Sequence, residues 1–216
     1  MSDTDEILLE LLPPIPDGYS DPEQFSYPMI AIMIGSGLLG IVASLIFIGI
    51  LVRIQGTEVF TFYEVTVEEN ITTFTMDLAA IGIPFLVALV TTVVIHELIH
   101  GLVFRLYGYE VKYGVIPSMG AFYAAVFGEF QSRDELLRVG IAPFVVITAI
   151  CLPLLAIPVN IVAVTAAFVL ILNTAGSIGD FYLVWRLQKM PHKTLFYDLD
   201  IRHMYVYQPL RRDETN

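Results

Sequence analysis

The chain has 216 residues, 56% of them hydrophobic, a mean hydropathy of +0.72 and a formal net charge of −11. This balance excludes an ordinary water-soluble domain, which carries more charge and shorter apolar runs. The acidic exterior argues against binding nucleic acid or anionic lipid through a basic patch, and it suits a high-salt habitat, as does the scarcity of lysine beside arginine.

Residues 1–27 read as an acidic, proline-rich tail with Pro13, Pro14 and Pro16. No basic n-region precedes an apolar core, so no cleavable signal peptide is expected and the first helix stays in the mature protein. That helix covers about residues 28–52 and carries no charge from Pro28 to Val52. Its length matches the thickness of a bilayer core. Gly35, Gly37 and Gly40 spell a dinucleotide fingerprint but lack the βαβ context it needs. Ser36, Gly40 and Ser44, four residues apart, form instead a small-residue face for packing against another helix.

Thr57–Met76 alternates and is rich in β-branched and aromatic residues, with a polar break at Glu68-Glu69-Asn70, which predicts a small external β-hairpin. The triplet Asn70-Ile71-Thr72 is a glycosylation sequon of the kind that arises by chance. A second span covers 78–106. Glu110–Phe130 is too short to cross and too apolar for an ordinary loop, so a strand pair or re-entrant segment is expected there. Two further spans cover about 138–157 and 159–187. The single cysteine, Cys151, lies in the third and reads as a buried thiol.

The predicted fold is therefore an all-α integral membrane bundle of about four transmembrane helices. A small external β-hairpin and a short cytoplasmic-side β or re-entrant segment complete it. In domain terms, 28–190 is the membrane domain and 191–216 a short cytoplasmic tail, in which His203 reads as a surface residue. With the N- and C-termini cytoplasmic, ten of the eleven basic residues face the cytoplasm and only Arg53 lies outside.

The chemistry concentrates at His96-Glu97-Leu98-Ile99-His100 in the second span. Residues four apart share a helix face, so both imidazoles can reach one metal ion. Glu97 lies beside them, where a general base must stand to deprotonate a water activated by that ion. Each ionisable group at mid-bilayer costs about 2.5–3.5 kcal/mol, so three within five positions are not kept for packing. A metal-free cluster, or a haem held by one histidine, is the alternative.

A catalytic zinc takes three protein ligands and keeps one position open. In the last span Asn173, Ser177 and Asp180 are spaced i, i+4 and i+7, on one face of a continuous helix. His96 lies 18 residues after Leu78 and Asp180 lies 21 after Val159, so at about 1.5 Å per residue the two reach similar depth. Asp180 is thus the candidate third ligand. The competing reading makes it a helix-end residue ahead of Arg186 and Lys189, but an acid at a helix C-terminus opposes the dipole.

His96-Glu97-x-x-His100 with a distant Asn173…Asp180 resembles the site-2 protease group of intramembrane zinc metalloproteases. More closely, the Asn-x-x-Gly-Ser-x-Gly-Asp pattern resembles a family of integral-membrane zincin peptidases, over residues 78–207 and including Ala142-Pro143 near the start of the third helix. The resemblance implies one Zn2+ per chain, with His96, His100 and Asp180 as ligands and Glu97 as base. It implies that Asn173, with Ser177, holds the substrate backbone or steadies the developing oxyanion. The chain departs from the site-2 pattern in ending Gly179-Asp180-Phe181 with no intervening proline, and no stretch reads as a PDZ domain.

The function expected is hydrolysis of a membrane-spanning or membrane-proximal peptide near the cytoplasmic face. Partners are that substrate and the lipid bilayer, with no nucleic acid. A strand edge in Glu110–Phe130 could take up an unwound substrate or could simply cover the site. A non-proteolytic zinc-binding membrane scaffold or regulator is the alternative, disfavoured by Glu97, since a structural site needs no base. A metal transporter would carry polar residues along several helices, and the first and third here have almost none.

Overall fold

A computed structural model describes residues 8–60, 63–68, 71–117 and 121–210. The elements run β1 (Glu23–Phe25), α1 (Met29–Gln55), β2 (Tyr63–Glu68), β3 (Ile71–Met76), α2 (Leu78–Leu106), β4 (Lys112–Ile116) and β5 (Ala121–Ala125). There follow β6 (Phe130–Ser132), α3 (Arg133–Leu154), α4 (Asn160–Gly176), α5 (Ile178–Gln188), β7 (Leu195–Asp200) and β8 (His203–Tyr207). By length and composition α1, α2 and α3 could each cross a membrane, and α4 with α5 makes a fourth span if the two act as one.

The all-α expectation gives way in one respect: the described residues also form three sheets. β2–β3 and β4–β5 are antiparallel pairs. The former is the hairpin anticipated in 57–76; its tip, with Glu69 and Asn70 and hence the sequon, lies outside the described residues. β4–β5 is the strand pair anticipated in 110–130. A four-stranded sheet in the order β1-β8-β7-β6 was not anticipated, and it takes strands from segments read as tails.

The chain divides into two compact units. The first comprises Met1–Pro28, His100–Ile141 and Asp180–Asn216. Its core gathers Phe25, Phe104, Val139, Leu187, Phe196 and Val206 from helices and sheet alike. The second comprises Met29–Ile99 and Ala142–Gly179. There α1 packs along α4 through the small-residue face: Ser36 Oγ donates to the Ala175 carbonyl at 2.9 Å. A Cβ on Gly40 would stand 3.4 Å from that of Ala175. Gln55 at the end of α1 donates to the carbonyls of Leu155 and Ile157, just past the end of α3. The outer face of α1 exposes Ile30, Met33, Leu38 and Leu45, as a lipid-facing helix would.

Two helix ends are set by sequence features close to the site. α2 ends in a Schellman motif. Gly108, at φ 92°, donates to Arg105, Tyr109 donates to Phe104, and the Tyr109 and Phe104 rings meet edge to face at 6.1 Å. α3 starts at Arg133, five residues before the expected 138, because Ser132-Arg133-Asp134-Glu135 is a capping box. Glu135 accepts from the Ser132 amide at 2.9 Å and from its hydroxyl at 2.7 Å, and the Glu135 amide donates back to that hydroxyl at 3.3 Å. Ala142-Pro143 therefore lies inside α3 and not at its start.

Candidate metal centre

α2 carries His96, Glu97 and His100, whose ligand atoms all lie within 4.8 Å of one another. One zinc ion with bonds of about 2.0–2.2 Å spans its ligands at up to about 4.2 Å, so only a small side-chain adjustment separates this cluster from a chelating one.

Each imidazole is oriented by a hydrogen bond at Nδ1. His100 is buried, and its Nδ1 is 2.9 Å from the Val139 carbonyl. A carbonyl only accepts, so Nδ1 carries the proton and Nε2 keeps its lone pair for a metal. That carbonyl is open to His100 for a reason written in the sequence. Within α3 its helical donor would be the amide of residue 143, and Pro143 has none. His96 Nδ1 lies 3.1 Å from Asn173 Oδ1, an acceptor, which gives the same tautomer.

Asp180 stands beside His100, its Oδ1 3.5 Å from His100 Nε2. That is long for an imidazole–carboxylate hydrogen bond. It is close to the separation of about 3.4 Å between two ligands on one tetrahedral zinc with 2.1 Å bonds. A set of two imidazoles, one carboxylate and an adjacent second carboxylate fits zinc, which takes nitrogen and oxygen donors and keeps one position open in hydrolases.

The last span is broken at Ser177, between α4 and α5. Glycines at 176 and 179 weaken the helix on both sides, and Ser177 closes α4 by donating its amide and its hydroxyl to the Asn173 carbonyl at 2.9 and 2.8 Å. The continuous face expected for Asn173, Ser177 and Asp180 does not exist. Asn173 is in the last turn of α4, and Asp180 is in the first turn of α5. The dipole argument reverses with it, since an acid in a first turn is favoured. Asn173 and Ser177 are both fully buried, and Asn173 Nδ2 has no hydrogen-bond partner among the described residues. Sequence reading missed the Val139 carbonyl, although a proline inside a helix marks the carbonyl four residues earlier as unclaimed.

The His96-Glu97-His100 cluster is compatible with a zincin-type metal centre. Residues 89–195 match the DUF3267 family model, described as "Putative zincin peptidase". The match makes this stretch similar to a zincin-type peptidase family and agrees with zinc as the metal; it does not single out the site-2 protease group. No curated protein and no solved structure matches the chain.

Proposed function

We propose that the chain is an intramembrane zinc metallopeptidase that cleaves a membrane-spanning or membrane-proximal peptide near the cytoplasmic face. The observation that carries this reading is the paired orientation of His96 and His100. Both Nδ1 atoms have acceptors, and the two rings present ligand atoms within 4.8 Å of each other and of the Glu97 carboxylate, which could serve as base.

His96, His100 and Asp180 hold the metal, one Zn2+ per chain. Zinc supplies a Lewis acid that makes water a nucleophile near neutral pH. Glu97 would serve as general base, taking a proton from the attacking water and giving it to the nitrogen of the departing peptide. Asn173 fixes His96 through its Oδ1 and offers its Nδ2 hydrogens to a substrate carbonyl, while Ser177 holds the end of α4 that presents Asn173. The termini are cytoplasmic, as the placement of arginine and lysine requires.

The experiment is metal content together with cleavage of a reporter transmembrane peptide in proteoliposomes. Wild type should bind one zinc. His96→Ala and Asp180→Ala should lose or weaken it, and Glu97→Gln should keep the metal while losing cleavage by at least about 100-fold. Full retention of zinc in Asp180→Ala would remove Asp180 from the ligand set. Unchanged cleavage in Glu97→Gln would remove the peptidase mechanism.

A further inference from the structure

The first unit carries a cluster of aromatic rings and cations that the metal centre does not use. The Tyr27 and Tyr182 rings lie 5.7 Å apart, and those of Tyr182 and Trp185 lie 5.9 Å apart. The Arg186 guanidinium sits 5.1 Å from the Phe25 ring centre and 5.9 Å from that of Tyr182, while Lys189 Nζ is 3.6 Å above Trp185. Trp185 remains 49% exposed.

We propose that this cluster is the surface by which the first unit sits in the headgroup layer of a phospholipid bilayer. Tyrosine and tryptophan have an apolar body and a polar edge, and they settle where hydrocarbon meets water. Arginine and lysine lay their stems along apolar surface and keep their charge among phosphates and water. These two cations are stacked on rings and do not form a polybasic patch, so the attachment is to the interface itself and does not depend on anionic lipid.

Chain order supports a bilayer over a protein partner as the occupant. Tyr27 comes two residues before α1, whose first turns expose Ile30 at 78% and Met33 at 71%, an apolar surface that continues away from the cluster. Trp185 lies in the last turn of α5, and Lys189 follows that helix directly. Two segments therefore pass from the same ring cluster into apolar helix, which is the sequence of environments that a headgroup layer and a hydrocarbon core present.

The cluster also fixes depth. Asp180 lies five residues before Trp185 in α5, about 8 Å along the axis at about 1.5 Å per residue. The His100–Asp180 pair is thus held about one and a half turns from the headgroups, where water can reach it without a deep channel. This consequence rests on the metallopeptidase reading; the anchor does not.

Trp185 is the only tryptophan in the chain, so its fluorescence reports one position. The full-length protein is reconstituted in phosphatidylcholine vesicles carrying a nitroxide on the headgroup, at acyl carbon 5 or at acyl carbon 12, with Trp185→Phe as the blank. The headgroup and carbon-5 labels should quench at least about twofold more than the carbon-12 label. Quenching that is equal at all depths, greatest at carbon 12, or absent would overturn the proposal. Zinc content measured on the same vesicles keeps the two readings apart: shallow quenching without zinc would sink the metallopeptidase alone, and zinc with deep quenching would sink the anchor alone.

Discussion

Pro143→Ala should make the metal-free protein more stable and its metal binding weaker. The substitution supplies an amide at position 143, which has a helical acceptor waiting in the Val139 carbonyl. Proline in a helix interior costs about 3 kcal/mol relative to alanine. Because α3 has already adapted to Pro143, a gain of about 1–2 kcal/mol is expected in the apo protein. The restored bond draws the carbonyl back towards the helix axis and into competition with His100 Nδ1, now 2.9 Å away. Losing the outer partner of a ligating histidine typically costs about 10–100-fold in metal affinity, or about 1.4–2.7 kcal/mol. Unfolding in detergent with a chelator measures the first quantity, and competition with a zinc indicator measures the second. The 15N signals of His100 report whether Nδ1 keeps its proton. A purely structural proline would move stability and affinity in the same direction. Unchanged affinity with Nδ1 still protonated would show that the carbonyl's second lone pair serves His100 regardless, and the account of Pro143 would be wrong.

Asn173→Asp keeps an acceptor for His96 Nδ1 and should retain zinc, whereas Asn173→Leu should lose about 10–100-fold in affinity by indicator competition. In the four-stranded sheet, burial and the nearby Asp200 charge raise the Asp198 pKa to about 7, against a partial opposing effect of the hydrogen bond from Gln131. The folded state therefore holds this proton more tightly than the unfolded chain. Its contribution to stability is present at low pH and is lost as pH rises from about 4 to about 7, by at most about 4 kcal/mol. Asp198→Asn should accordingly gain on wild type between pH 5 and pH 8 in denaturant melts, and parallel melts at the two pH values would refute the burial argument. Gly40→Ala should be tolerated, because its Cβ meets Ala175 at an ordinary 3.4 Å. Gly40→Leu should wedge α1 from α4 and cost about 1–3 kcal/mol in the same unfolding assay.

The HExxH cluster was legible in the sequence because its geometry is local: four residues along a helix place two imidazoles together whatever surrounds them. The helix spans were legible because apolar length is itself the signal, and the Ser36–Gly40 face because only small residues at that spacing let two backbones approach. The break at Ser177 was harder to see. Gly176 and Gly179 flank it, but apolar residues continue on both sides and hide the interruption. The capping box at Ser132–Glu135 is also written in the sequence, but the charge-free run begins only at Val139, after the charged turn Arg133–Arg138, and so hydropathy places the start of α3 too late. β7 and β8 also carried their own signal, Leu195-Phe196-Tyr197 and Met204-Tyr205-Val206-Tyr207 on either side of a short polar turn. Their partner strands β1 and β6 are three residues each, too short for any pattern. The Val139 carbonyl is a backbone atom with no residue type to announce it; only the proline four positions later does so.

The order of the four-stranded sheet governs when the core of the first unit can close. β1 pairs with β8, Glu23 opposite Val206, so β1, once made, waits roughly 180 residues for its neighbour. At about 5–20 residues per second that wait is about 10–40 s, during which the helices are already made. Phe196 and Val206 belong to the same core as Phe104 and Val139, the residue whose carbonyl orients His100. The core that includes Val139 is therefore completed only when β8 arrives.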